Sequence, residues 1–417
     1  MSPLGIRPAV LALGTAALLT ATAAMAPTTA AAPAERGGTV TLAWYDITAE
    51  TVAKAKAPTQ VTNSRTWAVS WLAAARATRR APAGVDRGAF QDAALATAVH
   101  HSLVALAPAR AEQLDAAWHA TLDGIPDGPA EDRGVAAGAR EAHAVLASRA
   151  GDGLDPASVS APFTTPPPGP GVWQPTPPAY APAAGYGSRL ARPFLMDSAD
   201  EFRPGPPPAL DSDRYREDLA EVRAYGALDS TRRTAHQTQT AAFWYGVPLD
   251  VYTGTLRVAL ARSRQPVPER ARLVALFHVA SVDTQIAISD SKFAYVWWRP
   301  VTAIRTGAID PDPAWTPLHA APPQPEYPSG HGAYAGAAEA VLAALTGPRT
   351  GPFELTSATA PGVTRTYTAW RQLTEENVDA RVFSGIHTRT ADEVGATLGR
   401  RVAGAALRDA WRLFGDL

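Results

Sequence analysis

Three short stretches of the sequence carry residue types that can hold and transform an anion. The first, "SKFAYVWWRP", places Lys292 and Arg299 seven residues apart, two turns of a helix, so both cations are expected near one helix face. Pro300 disfavours helical backbone at Arg299, which puts the guanidinium at the helix's C-terminal end with its fork aimed away. Phe293, Tyr295, Trp297 and Trp298 are interleaved with the cations, and burying charge among such rings is costly without a compensating anion or carboxylate.

The second stretch, "EYPSGHGAYAGAAEAVLAAL" from Glu326 to Leu345, joins a Pro, Ser, Gly, His cluster to an apolar run at helical spacing. Pro328 stops any helix before it, and Ser329 is a favoured N-cap type. The N–H groups of Gly330 and His331 then fall in the first turn, at the positive end of the helix dipole, where anions bind. Gly330 lets a ligand approach the backbone, and His331 can exchange a proton near neutral pH. Taken alone, a capping serine and a hydrogen-bonded histidine would account for this stretch equally well.

The third, "DARVFSGIHTRTADEVGATLGRRV", sets Arg381 six residues before His387. A straight helix would put those two on different faces, but Ser384 and Gly385 offer a break that can aim both inward. Asp392 follows on the resumed helix, where it can orient a nearby His or Arg. Of nine histidines, His331 and His387 are the two within Gly-containing breaks; His100 and His101 lie in an ordinary helix and read as surface or core polar residues.

The elements that must position these groups are helical. From about residue 64 to 151, Ala, Leu and Val recur at three- and four-residue spacing, as in "AFQDAALATAVHHSLVAL". From about 162 to 210 clustered prolines forbid helix; Trp173, Phe194, Phe202 and several tyrosines favour an ordered strap over a flexible linker. Helical periodicity resumes at about 211 and continues to 417, and strand-like alternation is nearly absent. An all-α fold of two packed helical bundles follows, with the Pro-rich strap crossing between them.

The chain has 417 residues, 46% of them hydrophobic, enough for one large core or two smaller ones. Its 38 basic and 39 acidic residues give a formal charge of −1, so no bulk attraction to nucleic acid or an anionic membrane is implied. With no cysteine, disulfides, thiolate metal sites and cysteine nucleophiles are excluded. Residues 1–34, with one Arg, an apolar stretch and small residues in A-x-A spacing, read as a secretory signal; a membrane anchor is the rival reading. No later segment reads as long and apolar enough to span a membrane, so the remainder, 35–417, is expected to be a soluble, secreted domain without stable membrane insertion.

Three cations, two histidines and a glycine-opened helix start make a site for a tetrahedral oxyanion. The order K-x6-R-P, then P-S-G-H, then S-G-x-H with an Arg six residues before that His, resembles the vanadium-dependent haloperoxidases and the related phosphatidic acid phosphatase superfamily. The segments "GVWQPTPPAYAP", "RPFLMDSADEFRPGPPPAL" and "FWYG" are similar to the secreted bacterial haloperoxidase-like branch. The resemblance implies two four-helix bundles, with vanadate as cofactor held by Lys292, Arg299, Ser329, the Gly330 N–H and Arg381. It implies that His387 binds vanadium and that His331 is the acid–base residue, with hydrogen peroxide and halide as substrates. For the related phosphatases the same constellation implies phosphate-ester hydrolysis through a phosphohistidine at His387, with phosphate or another oxyanion in the same site. A third reading, oxyanion binding without turnover, is disfavoured by the two histidines, since binding alone needs no proton shuttle. Gln324, Tyr327 and Tyr334 are candidates for setting halide preference.

Overall fold

The computed structural model describes residues 33–414 apart from Lys56 and Pro58, with side chains from residue 39 onward. The signal read over residues 1–34 lies outside the described residues but for its last two positions. Helices α1 (Pro33–Ala55), α2 (Gln60–Thr78), α3 (Arg87–Leu106), α4 (Ala111–Leu122) and α5 (Pro129–Ser148) form a first group, in which α3 packs on α1, α2, α4 and α5. After a four-residue turn, α6 (Pro156–Val159), and the proline-rich segment come α7 (Asp213–Gly226), α8 (Ala235–Phe243), α9 (Pro248–Arg262), α10 (Val267–Tyr295) and α11 (Pro300–Thr306). The chain ends in α12 (Gly330–Thr346), α13 (Trp370–Phe383), α14 (Arg389–Arg408) and α15 (Trp411–Phe414).

Helix α10 belongs to both groups, packing on α2 of the first and on α12 and α14 of the second. This overturns one expectation: α10 is long and apolar enough to cross a membrane by length and composition. Its most apolar window is 89% buried inside the protein, and a helix with neighbours on all sides needs no polar face. Strands are few among the described residues. Between α12 and α13, β1 (Arg349–Thr356) and β2 (Thr364–Ala369) form an antiparallel hairpin. Its alternation, Phe353 and Leu355 inward on one strand and Arg365 and Tyr367 on the other, covers too few residues to dominate a sequence reading.

Two contacts matter most for the site. On α12 and α14 the glycines Gly336 and Gly399 face the partner helix so closely that an added Cβ would collide with the carbonyls of Ala396 and Ala333. The helices therefore meet backbone to backbone, and the N–H of Ser329, just ahead of α12, donates to the carbonyl of Ala391 on α14 at 2.9 Å.

The other contact is the irregular segment 162–210, pinned along α10 and its exit. Buried Asp283 accepts the N–H groups of Phe194 (2.7 Å), Leu195 (2.8 Å) and Met196 (3.2 Å). Asp290 pairs with Arg189 at 2.8 Å and Arg203 at 2.7 Å. The hydroxyls of Tyr295 and Tyr327 donate to the carbonyls of Pro204 and Gly205, and Trp173 donates its N–H to the Val296 carbonyl at 2.7 Å. A proline-rich chain has little entropy to lose, so a few such bonds fix it and, through it, the loops that carry the cations.

Candidate active site

Lys292 lies in the last turn of α10, which ends because Val296 takes the left-handed conformation (φ 48°, ψ 41°). Arg299 comes three residues later as the extended N-cap of α11, with φ −83° and ψ 154°. The two cations thus do not share a helix face, contrary to expectation; the helix stops before Arg299, and Pro300 keeps that residue extended. They converge nonetheless on the loop before α12. The Lys292 ammonium donates to the carbonyls of Pro325 (2.6 Å) and Glu326 (3.0 Å). Arg299 donates from Nε to the Gln324 carbonyl (2.8 Å) and from Nη1 to the Ile386 carbonyl (2.9 Å).

Arg381, near the end of α13, is fully buried and donates from Nη1 to the Trp244 carbonyl at 3.0 Å, while its Nε and Nη2 have no protein partner. All three cations are therefore aimed by main-chain carbonyls, which orient charge without neutralising it. Burial draws both guanidinium groups down to about 10, which leaves them charged at neutral pH, and pulls the Lys292 ammonium well below its ordinary value, with Arg299 adding to the effect.

Ser329 caps α12, its Oγ accepting the Gly332 N–H at 3.3 Å, so Gly330 and His331 occupy the first turn as the sequence predicts. His331 donates from Nε2 to the Gly246 carbonyl at 2.9 Å, which leaves Nδ1 with a free lone pair. Its burial, and next Arg381, push its pKa well below the usual histidine range. His387 follows the break at Ser384 and Gly385 (φ +76°), immediately before Thr388, the N-cap of α14. Nη1 of Arg299 lies 3.1 Å from its Nε2. A guanidinium only donates, so Nε2 carries the lone pair and neutral His387 has its proton on Nδ1. Burial first, then Arg299, Lys292 and Arg381, disfavour its protonated form.

Lys292, Arg299, Gly330, His331, Arg381 and His387 all line one cleft of about 630 Å³. Ser329 is buried beside it. Gln324 also lines the cleft, whereas Tyr327 and Tyr334 do not: one ties down the strap and the other lies in the core, so neither is placed to set halide preference. Asp392, expected to orient a His or Arg, is buried near Ser329 and Arg381 rather than on His387; burial raises its pKa, and those two neighbours oppose the rise. His100 is a buried helix residue bonded to Asp115 at 2.7 Å, away from the cleft.

Sequence reasoning missed Glu326. It is 1% exposed, and its Oε1 accepts the N–H (2.6 Å) and the hydroxyl (3.0 Å) of Thr388, tying the His387 segment to the loop before Ser329. Burial raises its pKa to about 7. The available signal was an acidic residue between Pro325 and Tyr327, two positions before P-S-G-H. Also unread were the carbonyls of Trp244 and Gly246, since a main-chain acceptor has no sequence signature.

This donor set suits a group that brings its own oxygens. Among the described residues no cluster of three or more His, Asp or Glu could hold a bare metal ion. Unused guanidinium donors, a helix start and a single imidazole lone pair fit vanadate, an oxyanion able to take one nitrogen bond.

Residues 272–416 match the family model of the VCPO second helical-bundle domain. Vanadium chloroperoxidase of Curvularia inaequalis is 28% identical over 228 residues, an alignment covering 39% of this chain and 37% of that protein's length. The crystal structure of the first bacterial vanadium-dependent iodoperoxidase superposes with a TM-score of 0.73 at 24% identity, covering 88% of this chain and 95% of that one. This is the vanadium haloperoxidase fold. A holo-type bacterial vanadium-dependent chloroperoxidase shares it at TM-score 0.66 and 16% identity, over 86% of this chain and 93% of that chain. Within that fold, the resemblance carried by the three motifs and the all-α architecture both hold.

Proposed function

We propose that the protein is a vanadate-dependent haloperoxidase that uses hydrogen peroxide to oxidise halide to a hypohalous-acid-like species. The observation that carries this reading is the convergence of Lys292, Arg299, Arg381 and the His387 Nε2 lone pair on one cleft. Lys292, Arg299, Arg381 and the Gly330 N–H would hold the vanadate oxygens, and Nε2 of His387 would bind vanadium. Bound vanadate would supply a Lewis-acidic centre that activates peroxide towards halide. His331, held neutral with Nδ1 free, is suited to take a proton from peroxide as it enters. A phosphatase would instead need the same residue protonated, to assist a leaving oxygen. We also infer export, from the signal-like residues 1–34.

The test is side-by-side assay of purified protein, with and without orthovanadate, for oxidation of iodide or bromide by peroxide and for phosphate-ester hydrolysis. Halide oxidation should appear with orthovanadate and decline as phosphate competes. Efficient ester hydrolysis that vanadate inhibits, without halide oxidation at any vanadate concentration, would establish the phosphatase instead.

A further inference from the structure

The carboxylate of Glu326 faces His387 from behind. Its Oε1 lies 3.5 Å from Nδ1 of His387, and neither that Nδ1 nor the second carboxylate oxygen, Oε2, has a hydrogen-bond partner in the protein. The residue is fixed through its other groups. Its N–H donates to the Trp297 carbonyl at 2.8 Å, its carbonyl accepts from Lys292, and its Oε1 holds Thr388. On the opposite edge of the imidazole, Arg299 sits against Nε2. A guanidinium on one ring nitrogen and a carboxylate behind the other impose the same tautomer from both sides.

Tethering Thr388 does not by itself call for an acid, because a neutral acceptor would serve without the cost of a buried carboxyl. We infer that Glu326 is the positioning residue of the site, holding His387 with its proton on Nδ1 and its Nε2 lone pair aimed at the cleft. This inference rests on the proposed role of His387 as the vanadium ligand. The 3.5 Å separation is longer than a good hydrogen bond, and such contacts commonly tighten when a site is loaded. Carboxylate–histidine pairs of this kind fix ring orientation and raise the basicity of the ligating nitrogen.

Two anions separate this role from a merely structural one. Orthovanadate would bond to Nε2, whereas inorganic phosphate draws on the cations and the N–H groups alone. Calorimetric titration of the purified protein with each should show Glu326→Ala losing about 10- to 100-fold in vanadate affinity, with phosphate affinity little changed. Glu326→Gln, whose amide oxygen still accepts from Nδ1–H and from Thr388 but puts no charge behind the ring, should recover only part of the loss. In a His387→Ala background the Glu326→Ala change should add nothing. Should Glu326→Ala not fold, ¹⁵N NMR of the wild-type imidazole, assigned by its absence in His387→Ala, should report the Nδ1–H tautomer. Equal losses for both anions, unchanged vanadate affinity in Glu326→Ala, or an Nε2–H tautomer would each overturn the inference. A wild-type protein that binds phosphate but no vanadate would overturn the haloperoxidase reading itself.

Discussion

Arg381→Met should make the ligand-free protein more stable while disabling its site. The guanidinium is fully buried, and two of its three nitrogens have no protein partner. Burial draws it down to about 10, although Asp392 pulls the other way. Because the folded value lies below the unfolded one, the charge opposes folding at every pH below about 10, by roughly 3 kcal/mol. Methionine fills similar space and gives up one bond to the Trp244 carbonyl, worth about 1 kcal/mol. The expected net gain is on the order of 2 kcal/mol, read as a higher denaturation midpoint without ligand. Orthovanadate tells the other half. The two free nitrogens, Nε and Nη2, would each donate to an oxyanion, worth about 1.5–3 kcal/mol apiece, so affinity should fall by roughly 100- to 10,000-fold. A variant less stable than wild type, or one that keeps vanadate affinity within about tenfold, would refute the view that this arginine is held uncompensated for an anion.

Three further outcomes are expected. Gly336→Ala, which drives a methyl into the Ala396 carbonyl, should cost about 1–3 kcal/mol in chemical denaturation by forcing α12 and α14 apart. Ser329→Ala removes the cap of α12 and should cost about 1 kcal/mol of stability by the same measurement. Asp283, raised by burial to about 6, makes the folded state retain a proton that the unfolded chain has lost; stability should therefore decline as pH rises from 4 to 7, by roughly 3 kcal/mol, and Asp283→Asn should remove that slope.

What could be read in advance depended on whether a feature repeats or is carried by a side chain of unusual chemistry. The helices carried their own period, and Ser329, Gly330 and His331 sit where capping rules put them. The error at Arg299 came from extending a helix through Val296, a non-glycine residue at φ +48° that no propensity favours. The apolarity of α10 was misjudged because burial on all sides is a property of its neighbours, α2, α12 and α14, rather than of its own residues. Glu326 was passed over for a similar reason: its place behind His387 depends on the 60 residues between them folding back.

The aiming of the site by main-chain carbonyls has an evolutionary consequence. Lys292, Arg299, Arg381 and His331 are oriented by residues 244, 246, 324, 325, 326 and 386 through oxygens that every amino acid possesses. Apart from Glu326, whose side chain has work of its own, and the buried Trp244 and Ile386, those positions can drift in ancestry without disturbing the cradle. Gln324 and Gly246, which also line the cleft, are thus free to be recruited for new substrates while the oxyanion machinery is inherited intact.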